Sequence, residues 1–206
     1  LEATRLGYSN SFSIYDSADS QRLITTVSKE LNLDPKRYPA RQFQSMISNA
    51  KNELLGPQDY LNAASSQFEQ VVADVYAVYQ QRLIRANAMD FDDLILKTVE
   101  VLQRYPEAKA RFRSRFRHVL VDEYQDTNHA QYILVKELVG SDLEGQAPAE
   151  LCVVGDADQS IYGFRGATIR NILQFELDYP NARTVLLEQN YRSTQNILNA
   201  ANAVIT

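Results

Sequence analysis

Two adjacent carboxylates, Asp122 and Glu123, follow the apolar run Val119-Leu120-Val121. Such a run reads as a short buried strand. In an open α/β sheet, ligands bind at the carboxyl ends of the strands. A carboxylate pair there can hold Mg²⁺ and orient a water, the two requirements of nucleotide hydrolysis. A strand that simply reaches solvent can also end in an acid pair, so this pair alone does not decide. The pattern then recurs. Leu151-Cys152-Val153-Val154-Gly155-Asp156 leads into Ala157-Asp158-Gln159-Ser160, and Thr184-Val185-Leu186-Leu187-Glu188 leads into Gln189-Asn190-Tyr191-Arg192-Ser193-Thr194. Three strands, each with a polar cluster at its exit, imply one shared site.

In this order the clusters resemble superfamily 1 DNA helicases of the UvrD/Rep/PcrA type. Asp122-Glu123-Tyr124-Gln125-Asp126 is similar to their Walker B segment, motif II. The segment 155–167, Gly155-Asp156-Ala157-Asp158-Gln159-Ser160-Ile161-Tyr162-Gly163-Phe164-Arg165-Gly166-Ala167, resembles motif III and is the most specific match. Leu187 to Thr194 resembles motif IV. Met89-Asp90-Phe91-Asp92-Asp93-Leu94 is similar to a further family segment. The motif-bearing resemblance covers residues 89–198. Residues 1–88 look like the family's helical insertion by position and helical pattern.

The resemblance implies a role for each candidate. Asp122 would hold Mg²⁺, and Glu123 would polarise the attacking water while standing beside the metal. Gln159 resembles a γ-phosphate sensor, an amide able to bond both phosphate and water. Arg192 looks like an arginine finger that neutralises charge developing in phosphoryl transfer, and Tyr191 would stack on adenine. Phe91, Tyr162, Phe164 and Arg165 would face single-stranded DNA, where aromatic faces stack on bases without regard to sequence. Many relatives carry Trp at the position of Phe164. The implied activity is ATP-dependent 3′-to-5′ translocation on single-stranded DNA with unwinding at single-strand/duplex junctions. Repair or replication in the cytoplasm is the implied setting, with other repair or replication proteins as potential partners. A helicase–nuclease subunit would share these motifs. A non-catalytic DNA-binding or protein-interaction module could keep motif II as a relic, although the intact set Asp122, Glu123, Gln159 and Arg192 argues against that.

The helices and strands that carry these residues can be read in outline. Asp16 or Ser17 can cap a helix carrying Leu23, Ile24, Val27 and Leu31. Residues 40–55 read as a second helix with Phe43, Ile47, Ala50 and Leu54 on one face, stopped by Gly56-Pro57. Residues 66–86 read as the longest helix, with the stripe Phe68, Val71, Val72, Val75, Tyr79 and Leu83. Further helices are expected over 128–139 and 168–179, and from near Ser193. Residues 140–149 read as a flexible loop. Strand and helix alternate after residue 115, which predicts a parallel α/β sheet. The expected fold is therefore a RecA-like (P-loop NTPase) sheet, incomplete in this chain, with an α-helical subdomain. The expected division is 1–88 for the helical subdomain and 89–206 for the α/β part.

Composition permits this reading and narrows it. Hydrophobic residues make up 45% of the chain, which argues against disorder. The single Cys152 excludes a disulfide framework. A net charge of −5 gives no bulk attraction for nucleic acid, so binding would rest on stacking and a local groove. Acids and bases balance over residues 1–88. The run from Arg104 to His118 is strongly basic and reads as a solvated connector before the strand, with a phosphate-binding patch as the alternative. His118 and His129 lack metal-ligand spacing, and Asp92 and Asp93 read as helix-capping residues. None of the seven glycines is followed by Lys, so the phosphate-cradling G-x-x-x-x-G-K-[ST] is not in the sequence. The family places that loop upstream of its motif II, so the chain reads as an internal part of a larger helicase.

Overall fold

The computed structural model of the chain describes residues 2–140, 147–156, 159, 175 and 177–205. Its first strand, β1 (Ser13–Tyr15), pairs in parallel with β2 (Ala88–Asp90), in the register Ser13 to Ala88 and Tyr15 to Asp90. Parallel neighbours need a crossover, and here it is a layer of four helices. They are α1 (Ser17–Glu30), α2 (Ala40–Asn52), α3 (Pro57–Ala63) and α4 (Gln67–Arg85). Strand β2 spans residue 88, where the sequence suggests a division, and joins the helical layer to the rest of the chain.

The expected helix starts are observed. Asp16 caps α1 by accepting from the Asp19 N–H at 2.8 Å, and Asp19 reaches back to the Asp16 N–H. Ser66 caps α4 in the same way with Glu69. These carboxylates sit where the first-turn N–H groups lack partners. The apolar stripes meet in one core. Ile24 and Val27 of α1, Phe43, Ile47 and Ala50 of α2, and Val72, Val75, Tyr76, Tyr79 and Leu83 of α4 are buried together. The rings of Tyr38, Phe43 and Phe68 stack at its edge, with centroids 5.8 to 6.2 Å apart.

Helix α2 ends earlier than its pattern suggests. Leu54 takes a left-handed backbone (φ 58°), and the Leu55 N–H returns to the Ala50 carbonyl at 2.9 Å. Gly56-Pro57 therefore opens α3 rather than closing α2. Proline suits a first helical turn because its missing N–H would have no intrahelical partner there.

Beyond β2 run α5 (Phe91–Arg104), α6 (Pro106–Arg115), β3 (His118–Val121), α7 (His129–Val139), β4 (Glu150–Val153) and α8 (Gln195–Ile205). Strands β3 and β4 pair in parallel, Val121 opposite Val153, with α7 as their crossover and packed against α5. The fold is α/β in kind, with helices and short parallel strand pairs.

Three expectations change. Strand β3 forms, but it is not buried on both faces. Val119 and Val121 are half-buried, while Leu120 is 77% exposed and its register partner Cys152 is exposed with it. No layer covers that face among the described residues. Residues 184–187 form no strand, and Val185, Leu186 and Leu187 are exposed. An apolar run becomes a strand only where a neighbour takes its backbone hydrogen bonds, and none does so here among the described residues. The basic run is mostly helix rather than connector. Arg113 is buried and donates through Nε to the Glu137 carbonyl at 2.7 Å, Lys109 pairs with Glu137 at 2.7 Å, and Arg111 pairs with Glu2. Its charges tie α6 to α7 and to the N-terminal turn. The expected helix over 168–179 and the loop over 140–149 fall largely outside the described residues.

Candidate functional site

Asp122 and Glu123 emerge at the carboxyl end of β3, both exposed. Glu123 sits in the left-handed region (φ 50°, ψ 43°), which is uncommon for a residue with a side chain. The surrounding contacts hold it there. Its N–H donates to Asp122 Oδ1 at 2.9 Å. The next N–H, of Tyr124, donates to the Val154 carbonyl at 2.9 Å, and the Val154 N–H donates to the Val121 carbonyl at 2.8 Å. The turn after β3 is thus stitched to the turn after β4. Tyr124 is buried beneath it, edge-on to Phe175, and burial pushes its phenol up to about 12.

Gln125 is the centre of this junction, and the sequence motifs gave it no role. It is 1% exposed. Its Nε2 donates to Glu123 Oε2 at 2.8 Å, and its Oε1 accepts from the Asp156 N–H at 3.0 Å. The partners fix the amide's orientation, since a carboxylate only accepts and a peptide N–H only donates. Asp156 in turn accepts from Gln159 Nε2 at 2.7 Å. One chain of hydrogen bonds therefore runs Glu123, Gln125, Asp156, Gln159. Gly155 makes it possible, because a Cβ there would lie 2.8 Å from Gln125 Oε1. The available signal was an amide two residues after Glu123, since one amide can serve an acceptor and a donor at once.

Asp122 and Glu123 offer hard oxygen donors, and neither is ion-paired with Lys or Arg among the described residues. That suits Mg²⁺, which takes one or two carboxylates and completes its shell with water and phosphate oxygens. Among the described residues no group of three His, Cys, Asp or Glu gathers as an all-protein cage. His118 instead faces Glu150 at 2.9 Å, and His129 lies against the Tyr132 ring.

The remaining candidates are distributed. Tyr162, Phe164 and Arg165 lie outside the described residues. Tyr191 is 92% exposed, and Asn190 Oδ1 holds the turn after it by accepting from the N–H groups of Arg192 and Ser193 at 2.9 Å. No hydrogen bond or ion pair joins Tyr191 or Arg192 to Asp122, Glu123 or Gln159 among the described residues. Phe91 is the first residue of α5 and is 60% exposed, so it is not a core residue. It stands on the lip of a groove of about 560 Å³, opposite Asn49 and Asn52 of α2 and beside Asp126 and Asn128.

The backbone under Phe91 is anchored by a buried charge cluster. Lys51 is fully buried, with Nζ 2.6 Å from Asp90 Oδ2 and 2.9 Å from Asp93 Oδ1. Tyr79 donates to Asp90 at 2.8 Å, and Gln80 donates to Asp93 at 3.1 Å. Asp90 also caps α5 by accepting from the Asp93 N–H at 2.8 Å, and the Asp93 carboxylate reaches back to the Asp90 N–H to close the capping box. Burial raises the Asp93 carboxyl above its ordinary 3.8, with Lys51 opposing. Lys51 lies four residues after Ile47 on the apolar face of α2, which was the sequence sign of a buried cation.

Comparison with known proteins bears on this geometry. The chain is 62% identical over 203 residues to the ATP-dependent DNA helicase UvrD1 of Mycobacterium tuberculosis, covering 97% of this chain and 26% of that protein. It is 56% identical over 206 residues to UvrD1 of Mycobacterium leprae. It is 51% identical over 201 residues to the ATP-dependent DNA helicase PcrA of Bacillus subtilis, covering 98% of this chain. The chain spans about a quarter of the length of these relatives. No helix among the described residues is long and apolar enough to cross a membrane. Residues 1–180 match the UvrD/REP helicase N-terminal domain, and the chain belongs to that family.

Proposed function

We propose that this chain supplies the hydrolytic carboxylates and part of the DNA-contacting surface of an ATP-dependent DNA helicase. The observation that carries the proposal is the stitched pair of turns after β3 and β4, which joins Glu123 to Gln159 through Gln125 and Asp156. Asp122 holds the metal side of the site. Mg²⁺, when bound, neutralises phosphate charge. Glu123 orients and deprotonates the attacking water, as a general base within hydrogen-bond reach can. Gln159 bonds the terminal phosphate, Arg192 stabilises the developing charge, and Tyr191 stacks on adenine. Single-stranded DNA runs over Phe91, Tyr162, Phe164 and Arg165, with stacking worth about 1–3 kcal/mol per base.

Gln159 and the aromatic run that follows it share one segment, so a change at the phosphate is transmitted to the DNA platform over a few residues. The polarity is 3′ to 5′, the substrate is a tailed or junction duplex, and the setting is DNA repair or replication in the cytoplasm. The division into a helical subdomain over 1–88 and a RecA-like part over 89–206 belongs to the same proposal. Strand displacement by the full-length protein tests it. Duplexes with a 3′ single-stranded tail should open in the presence of ATP and Mg²⁺, and duplexes with a 5′ tail should not. Failure to open either, in a preparation that is folded, would overturn the reading.

A further inference from the structure

We infer that Gln125 is a positioning residue for hydrolysis, an amide strut that sets Glu123 according to where the backbone of Gly155 and Asp156 lies. The inference rests on the reading of Glu123 as the water-orienting base. Gln125 is almost fully buried, yet it bridges two turns from which Asp122, Glu123, Val154 and Asp156 reach solvent. Both of its functional atoms are committed, Nε2 to the Glu123 carboxylate at 2.8 Å and Oε1 to the Asp156 N–H at 3.0 Å. A displacement of the Asp156 backbone therefore pulls on the amide, and the amide pulls on the carboxylate. Glu123 needs such a strut. Its backbone is left-handed, and among the described residues no Lys or Arg pairs with it. Gly155 clears the space for the strut, because any Cβ there would strike Oε1 at 2.8 Å and crowd the Gln125 N–H. The same strut makes the base responsive to Gln159, which is one hydrogen bond further along at 2.7 Å from Asp156.

Two substitutions in the full-length protein separate this role from plain structural support. Gln125→Glu keeps an oxygen to accept from the Asp156 N–H, but it removes the donor to Glu123 and sets two carboxylates face to face. Gly155→Ala leaves both side chains in place and displaces the amide by contact. Each should lower kcat for ATP by about tenfold to a hundredfold, the size expected when a reacting group is misplaced by about 1 Å. Each should leave the KM for ATP within about twofold, so that kcat and KM split, beside the fall in thermal midpoint that a buried charge or a close contact brings. A support residue would lower the midpoint and leave kcat and KM of the folded enzyme at the parent values. With Gln125→Ala measured as a third single variant, the losses in the double variant Gln125→Ala with Gly155→Ala should not add, because no Oε1 remains to be struck. Additive losses, or parent kcat in any single variant, would overturn the strut. Should Gln125→Glu fail to fold, Gly155→Ala and the double variant still decide. Glu123→Gln is measured alongside. If it hydrolyses ATP at the parent rate, both the base and its strut are wrong; if it loses hydrolysis while Gln125→Glu does not, only the strut is.

Discussion

Glu123 combines features seldom found together in one residue: a left-handed backbone, an exposed carboxylate and a buried amide as its donor. Unusual backbone held by over-determined contacts is concentrated at functional sites, and here the contacts come from two different turns. Glu123→Gln in the full-length protein keeps the side chain's shape and removes the carboxylate proposed as base. ATP binding should persist while turnover falls by at least about a hundredfold, measured by equilibrium nucleotide binding beside phosphate release. Turnover at the parent rate would remove Glu123 from the chemistry. On the DNA side, Phe164→Ala should weaken single-stranded DNA binding and the stimulation of hydrolysis by DNA. Hydrolysis without DNA should stay near the parent value, because the role proposed for Phe164 is toward bases and not phosphates. Fluorescence anisotropy with labelled oligonucleotides, at fixed salt, reads the first effect. Unchanged affinity and stimulation would place Phe164 off the platform.

At the scale of elements, the link between α2 and the start of α5 rests on Lys51. Its ammonium is fully buried between Asp90 and Asp93, so removing it leaves carboxylates in the interior without a cation. Lys51→Met should cost about 3–5 kcal/mol at neutral pH, the range for breaking one partner of a buried pair. The cost should depend on pH in a defined direction. Burial holds Asp93 above its ordinary 3.8, so the folded state takes up a proton more readily than the unfolded chain. Its contribution to stability is full below 3.8 and is lost as pH rises through the folded value. Without Lys51 the folded value rises further, and protonation relieves more of the penalty. The gap in melting temperature between parent and Lys51→Met should therefore narrow as pH falls from about 7 to about 5. A constant gap would show that Lys51 acts by packing alone. Phe91 begins α5 directly after Asp90, so the same variant should also weaken single-stranded DNA binding.

At the scale of the molecule, the apolar surface is unevenly covered. The helical layer buries most of its stripes, whereas Leu120 is 77% exposed on one face of β3, and Leu186 and Leu187 are 75% and 83% exposed. Exposed apolar surface beside unpaired strand edges favours association. The 206-residue chain alone should sediment with a mass that grows with concentration. A monomer across the range would show that these residues find cover within the chain. The same isolated chain should bind ATP poorly and not turn it over. Its sequence holds no G-x-x-x-x-G-K-[ST], and the N–H groups and Lys of that loop supply most phosphate contacts. Titration calorimetry with ATP and Mg²⁺ checks this, and micromolar binding with steady turnover would reveal a cradle of another kind.

The helical layer was readable from local pattern, and so were the strand-exit carboxylates proposed for hydrolysis. The periodic stripes of α1, α2 and α4 name their own buried faces, and Asp16, Ser66 and Asn128 name their own helix starts, because those interactions span only three or four residues. The motif at 122–126 announced carboxylates at a strand exit for the same reason: strand, turn and acids are contiguous. What depends on partners far along the chain is fixed only once the chain has folded. Whether residues 184–187 pair as a strand, and whether Leu120 is covered, depends on neighbours that no local pattern specifies. The burial of Lys51 depends on Asp90 and Asp93, some forty residues away, closing over it. Gln125 looked like one amide in an acidic motif until the turn after β4 arrived 31 positions later with a peptide N–H to meet it. A local pattern can place a functional group on an element, but hydrogen bonding across two turns fixes its orientation, and that is set only when the strands pair.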